Sequence, residues 1–65
     1  MAIFHVQIFQ RGAAFGEEGD TDAAALETSR ILREVADRIR SGRTEGAVSD
    51  FNGAPACTYR TEMDD

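Results

Sequence analysis

Hydrophobic and polar positions alternate at the start of the chain. Ala2, Phe4, Val6 and Ile8 fall on one side of an extended backbone, and Ile3, His5, Gln7 and Phe9 on the other. A period of two filled by aromatic and β-branched residues predicts a strand over residues 2–10. Its even side is wholly apolar and is expected to meet the core. The odd side is mixed, and Ile3 and Phe9 on it are positions a monomer would leave partly uncovered. Residues 11–20 contain three glycines and the adjacent Glu17 and Glu18. They read as a loop in which Phe15 folds back as a plug.

The period then changes. Ala25, Thr28, Leu32, Val35 and Ile39 recur at spacings of three and four, widened by Ile31 and Ala36, and predict an amphipathic helix over residues 22–41. Asp20 or Thr21 supplies a capping oxygen, and Asp22 complements the positive end of the helix dipole. Gly42 is placed to close the helix in a left-handed conformation. The opposite side carries Glu27, Arg30, Arg33, Glu34, Asp37, Arg38 and Arg40. Its oppositely charged neighbours at i,i+3 and i,i+4 contribute about 0.2–0.5 kcal/mol per pair.

Two short strand-like runs follow, joined at Asn52-Gly53, and predict a hairpin over residues 45–61 with a type I′ turn. Asp50 is expected to brace that turn through local amides. The acidic tail, residues 62–65, is expected to fray. Strand, helix, strand, strand in one domain of residues 1–65 predicts an α+β fold. Its two layers are a βαββ unit with one amphipathic helix packed on a three-stranded sheet that ends in the hairpin.

Composition changes the picture at three points. A chain of 65 residues buries only about 60% of the surface its unfolded form exposes. Cys57 is the only cysteine, which excludes an internal disulfide, and Cys57 and His5 are too few for structural zinc. Self-association, a homodimer in the simplest case, is therefore the expected remedy. A single thiol suits a reducing cytoplasm, and "AIFHVQIF" is too short to cross a membrane. Net charge −5, with arginine as the only basic side chain besides histidine, disfavours direct binding to phosphate backbones. An acidic surface of this kind keeps a protein soluble or meets a basic protein partner.

Candidate chemistry is sparse. Asp50 and Asn52 resemble the start of a calcium loop, but positions 6 and 12 of that loop would be Pro55 and Thr61 instead of glycine and glutamate. The stretch therefore reads as a turn, with no metal. Cys57 has no basic cluster or helix N-terminus beside it in sequence and reads as a small buried thiol; Glu17 and Glu18 lie in a loop that cannot fix their separation. No catalytic residue and no cofactor are expected. Arg30, Arg33, Arg40 and Arg60 could clasp an anionic ligand bidentately, although acids at i±3 and i±4 neutralise most of them. "GAAFGEEG" matches no phosphate-binding loop.

"SRILREVADRIRSG" followed by "SDFNG" resembles a group of small proteins encoded by bacteriophages and prophages, a group largely without assigned functions. Ile31, Leu32, Arg33, Val35, Ala36, Asp37, Ile39 and Gly42 carry the helical part, and Asp50, Asn52 and Gly53 the turn. The likeness covers residues 29–60, and Pro55, Ala56 and Tyr59 depart from its last strand. It implies a phage accessory protein, such as an inhibitor of host defence of the anti-CRISPR kind, acting in the cytoplasm of the infected cell. The leading expectation is thus a non-catalytic protein that binds and inhibits a host protein or complex. Glu17, Glu18, Asp20 and Asp22, with the tail acids, would supply the acidic surface, and exposed Phe9, Phe15 and Tyr59 the anchors. The alternative is an oligomer that sequesters a small signalling nucleotide through Arg30, Arg33, Arg40 and Arg60.

Overall fold

The computed structural model describes residues 1–16 and 21–64. Strand β1 spans Ala2–Ile8, a 3-10 turn spans Ala13–Phe15, and helix α1 spans Thr21–Arg40. Strands β2, Glu45–Ser49, and β3, Pro55–Met63, form the hairpin. The sheet is antiparallel with order β1-β3-β2, and α1 lies on one of its faces. The two-layer α+β expectation therefore holds, with one helix on a three-stranded sheet.

The longest strand is central because it has two partners to pair. Cys57 lies opposite both Ile8 and Val48, and Tyr59 opposite both Val6 and Gly46. Of the tail expected to fray, residues 62–64 are instead ordered by pairing, and Asp65 lies outside the described residues. Glu62 and Met63 extend β3, and beyond them Met1 and Asp64 exchange N–H to carbonyl hydrogen bonds of 2.9 and 3.0 Å.

The core gathers Phe15, Ile31, Val35, Val48, Ala56, Cys57 and Tyr59, with Ile8 and Ala24 packed at its margin. Phe15, 3% exposed, plugs the layer from the 3-10 turn. Two guanidiniums fix the helix on the β2 side: Arg38 donates to the carbonyl of Ala47 and Arg30 to that of Ser49. On the other flank, Gln10 donates to the Thr28 hydroxyl at 2.8 Å. This rotates the buried stripe away from the expected one. Glu27, expected on the solvent side, is only 4% exposed, while Leu32 and Ile39 stay over 40% exposed. The helix therefore covers β2 and the middle of β3 and leaves the start of β1 bare. Phe4 and Val6, expected in the core, are each 42% exposed; Ile8 packs on the core, and the Phe4 ring only borders it beside Tyr59.

At the end of α1, Gly42 adopts φ 103°. The Gly42 N–H donates to Ile39 and the Arg43 N–H to Arg38, the paired bonds of a Schellman closure. The hairpin turn differs from expectation. Among the described residues only glycines have positive φ, so Asn52 does not adopt the left-handed conformation a type I′ turn requires. The Gly53 N–H donates to Asp50 and the Asp50 N–H to Ala54, which makes Phe51, Asn52 and Gly53 a three-residue loop closed by Gly53 at φ 88°. Nothing lies within 4 Å of a Cβ added at Gly53. Gly53→Ala is therefore expected to lose about 1–2 kcal/mol from backbone strain alone. Asn52→Ala, which keeps its backbone amide, should stay within about 0.5 kcal/mol. Urea midpoints measure both; equal losses at the two positions would restore the type I′ turn.

Candidate functional site

Three segments meet at one end of the molecule: the 3-10 turn, the first turns of α1 and the hairpin tip. Two buried carboxylates fix the hairpin tip and tie it to the helix. Asp50, 7% exposed, accepts the N–H groups of Asn52 and Ala54 at 2.9 Å each, bracing the turn as the sequence predicts. Glu27 accepts two hydrogen bonds from Arg30, at 2.6 and 2.9 Å, and the N–H of Phe51 at 2.8 Å. The Arg30 hydrogen bond holds the Glu27 carboxyl below the usual range against the opposing effect of burial. A helix carboxylate thus grips the backbone of the turn.

With the turn fixed, the Phe51 ring has no core to enter and stands 64% exposed. Leu26, one residue before Glu27, is 75% exposed. A mainly apolar cleft of about 390 Å³ runs beside them, lined by Ala13, Ala14, Gly16, Ala23, Leu26, Glu27, Arg30 and Phe51. Asp22 is exposed in the first turn of the helix. Glu17, Glu18 and Asp20 lie outside the described residues, and the chain runs through them from Gly16 to the helix start.

The sheet face away from the helix is polar. His5 lies opposite Arg60 and Gln7 opposite Thr58. The imidazole of His5 and the carboxylate of Glu62 are 2.8 Å apart. That hydrogen bond lowers the Glu62 carboxyl from its ordinary value, aided by the charges of His5 and Arg60. Strand alternation puts Cys57 on the other face, under the helix, 2% exposed. Burial pushes its thiol up, outweighing the nearby Arg38. His5 and Cys57 are therefore kept apart by the sheet itself.

Of the expected anchors, Phe9 is 40% exposed with the Arg11 guanidinium 5.4 Å from its ring centre. Phe15 and Tyr59 require correction: both are core residues, at 3% and 2% exposure, and cannot meet a partner without unfolding. The four arginines do not converge within one chain. Arg30 is tied to Glu27 and the Ser49 carbonyl, Arg33 and Arg40 are exposed on α1, and Arg60 stands on the far sheet face. Leu26 and Phe51 escaped the sequence reading. Their signal was a large apolar residue off the helical stripe and an aromatic ring inside a turn. Among the described residues, no group of three or more His, Cys, Asp or Glu side chains gathers to hold a metal, and no helix is long and apolar enough to cross a membrane.

The fold and these surfaces define a small two-layer α+β protein with an apolar cleft at the turn end and a polar outer sheet face. No protein-family model, curated protein or solved structure matches the chain.

Proposed function

We propose that this chain is a non-catalytic, phage-encoded interaction protein that binds and inhibits a host protein, a CRISPR or other defence complex being the class in view. The observation that carries the binding mode is the pair Leu26 and Phe51, two large apolar side chains held in the open beside one cleft. Apolar anchors of this kind contribute most when a partner desolvates them at the centre of an interface. Asp22, together with Glu17, Glu18 and Asp20 before it in the chain, supplies negative charge for a basic patch, including one that ordinarily holds nucleic acid. Charge of this sort chiefly speeds and steers the encounter. The non-catalytic reading is supported by where the ionisable groups are spent: Glu27 and Asp50 hold backbone, and Cys57 is a buried thiol.

The experiment is capture from phage-infected cells with a tagged chain, followed by titration of the captured protein. Leu26→Ser and Phe51→Ser are each expected to weaken its binding about 30-fold, the effect of losing about 2 kcal/mol. Reversal of Glu17, Glu18 and Asp20 to lysine should slow association and flatten its salt dependence. Undiminished binding by all of these variants would sink the proposal. Release of a nucleotide on heating, in place of a protein partner, would favour sequestration through Arg33, Arg40 and Arg60 of several copies.

A further inference from the structure

The two edges of the sheet are treated differently. On β2, the Thr61 N–H bonds to the Thr44 carbonyl, so by strand alternation the groups of Ala47 and Ser49 point outward. Those two carbonyls are the ones taken by Arg38 and Arg30, and a register shift at Val48/Ser49 distorts the same edge. The β2 edge is short and capped by the helix. On β1, Met1 and Asp64 bond to each other and the Phe9 N–H bonds to Ala56, so the odd residues turn their backbone groups inward to β3. The outward row consists of the N–H and carbonyl groups of Ala2, Phe4, Val6 and Ile8, none of which has a partner among the described residues. Nothing blunts this edge. The strand holds no Asp, Glu, Lys, Arg, proline or glycine, and shows no register shift.

We infer that β1 is a self-pairing edge that joins two copies of this chain antiparallel about a dyad at His5, forming one continuous six-stranded sheet. The occupant follows from self-complementarity. With the dyad at His5, Phe4 meets Val6 of the second copy and Ala2 meets Ile8, so every outward N–H finds an outward carbonyl. These pairs are apolar throughout, and they set Phe4 and Val6, each 42% exposed, beside like residues on one face. His5 meets its own counterpart at a non-hydrogen-bonded position, the closest approach an antiparallel pair offers. Pairing also lets a chain of this size bury apolar surface that its helix is too narrow a cover to reach. The inference is independent of the host-binding proposal, which uses Leu26 and Phe51 beside the cleft and not the outer edge of β1.

The register makes the test specific. In a Cys57→Ala background, His5→Cys is expected to form a disulfide-linked dimer on mild oxidation, because Cα atoms about 4.5 Å apart suit a bridge. Gln7→Cys, whose counterpart lies several residues along the pair, should remain unlinked. Sedimentation equilibrium of the unmodified chain should give twice the monomer mass. Val6→Pro, which removes an outward N–H that β3 does not use, should give the monomer with unchanged circular dichroism. A wild-type chain that stays monomeric at high micromolar concentration, or a folded Val6→Pro that remains dimeric, overturns the inference. Equal cross-linking at His5→Cys and Gln7→Cys overturns the register.

Discussion

Glu27→Ala is expected to lower the free energy of unfolding by about 2 kcal/mol, the scale for a buried backbone amide that loses a charged acceptor, with little added by Arg30, whose side chain is 41% exposed. The carboxylate is 4% exposed and has three donors: two from Arg30 and the N–H of Phe51. Alanine leaves the Phe51 amide without its acceptor and reduces the hold of the helix on the hairpin tip to the bonds from Arg30 and Arg38 to the Ser49 and Ala47 carbonyls. For a domain of 65 residues, whose total stability is about 3–10 kcal/mol, the urea midpoint should fall steeply. Glu27→Gln keeps an oxygen for the amide but loses the charge, so about half that effect is expected. The two side chains also separate by pH. The Arg30 hydrogen bond lowers the folded-state pKa of Glu27, so the unfolded chain takes up the proton first. The stability due to this carboxylate is complete above the unfolded value of about 4.3 and is lost as pH falls through the folded value. The gap between wild type and Glu27→Gln should therefore be constant near neutrality and narrow below about pH 4. A gap that stays constant down to pH 3 would show that Glu27 does not carry this charge.

That keystone also explains how much could be read from the sequence. Periodicity located the first strand and the helix, and Asn-Gly the hairpin, within a residue or two, because each follows from local backbone and side-chain geometry. Gly42 at the helix end and the Asp50 brace were legible for the same reason. What periodicity could not show was where the helix would sit across the sheet. Glu27, Arg30 and Arg38 look like a solvated charged face in sequence, yet they bond to Phe51, Ser49 and Ala47 and draw the helix toward β2. Phe4 and Val6 lose their cover as a result, though their alternation pattern is that of a core strand. The turn was misread for a related reason. Asn-Gly signals a tight hairpin, but the extra residue Phe51 enters the loop because Glu27 holds its own amide and Asp50 holds those of Asn52 and Ala54. The candidate site was hardest of all, since Leu26 and Phe51 are distant in sequence and meet only after this docking. The same tertiary placement turned Phe15 and Tyr59 from expected anchors into core.

Tyr59 supplies the second large effect. Its ring lies across the backbone of Gly46 on the neighbouring strand, where an added Cβ would sit 2.6 Å from the hydroxyl and 2.8 Å from Cζ. The ring cannot easily retreat. It is 2% exposed, and the Phe4 ring is packed at 6.2 Å between centroids. Gly46→Ala is therefore expected to destabilise by about 2–3 kcal/mol through overpacking. The hydroxyl is buried with no hydrogen-bond partner among the described residues. Tyr59→Phe removes that unsatisfied group and should be neutral or stabilising by up to about 1 kcal/mol. Combined, the two substitutions should cost at least about 0.5 kcal/mol less than their separate effects summed, because the closest clash disappears with the hydroxyl. Strict additivity in urea denaturation would mean that the two residues do not touch as described. The same variant separates core from interface: Tyr59→Phe should leave capture of the host partner unchanged while Phe51→Ser weakens it. Loss of capture in a fully folded Tyr59→Phe would return Tyr59 to the binding surface and place the docking site on the β1 side of the sheet instead of at the hairpin tip.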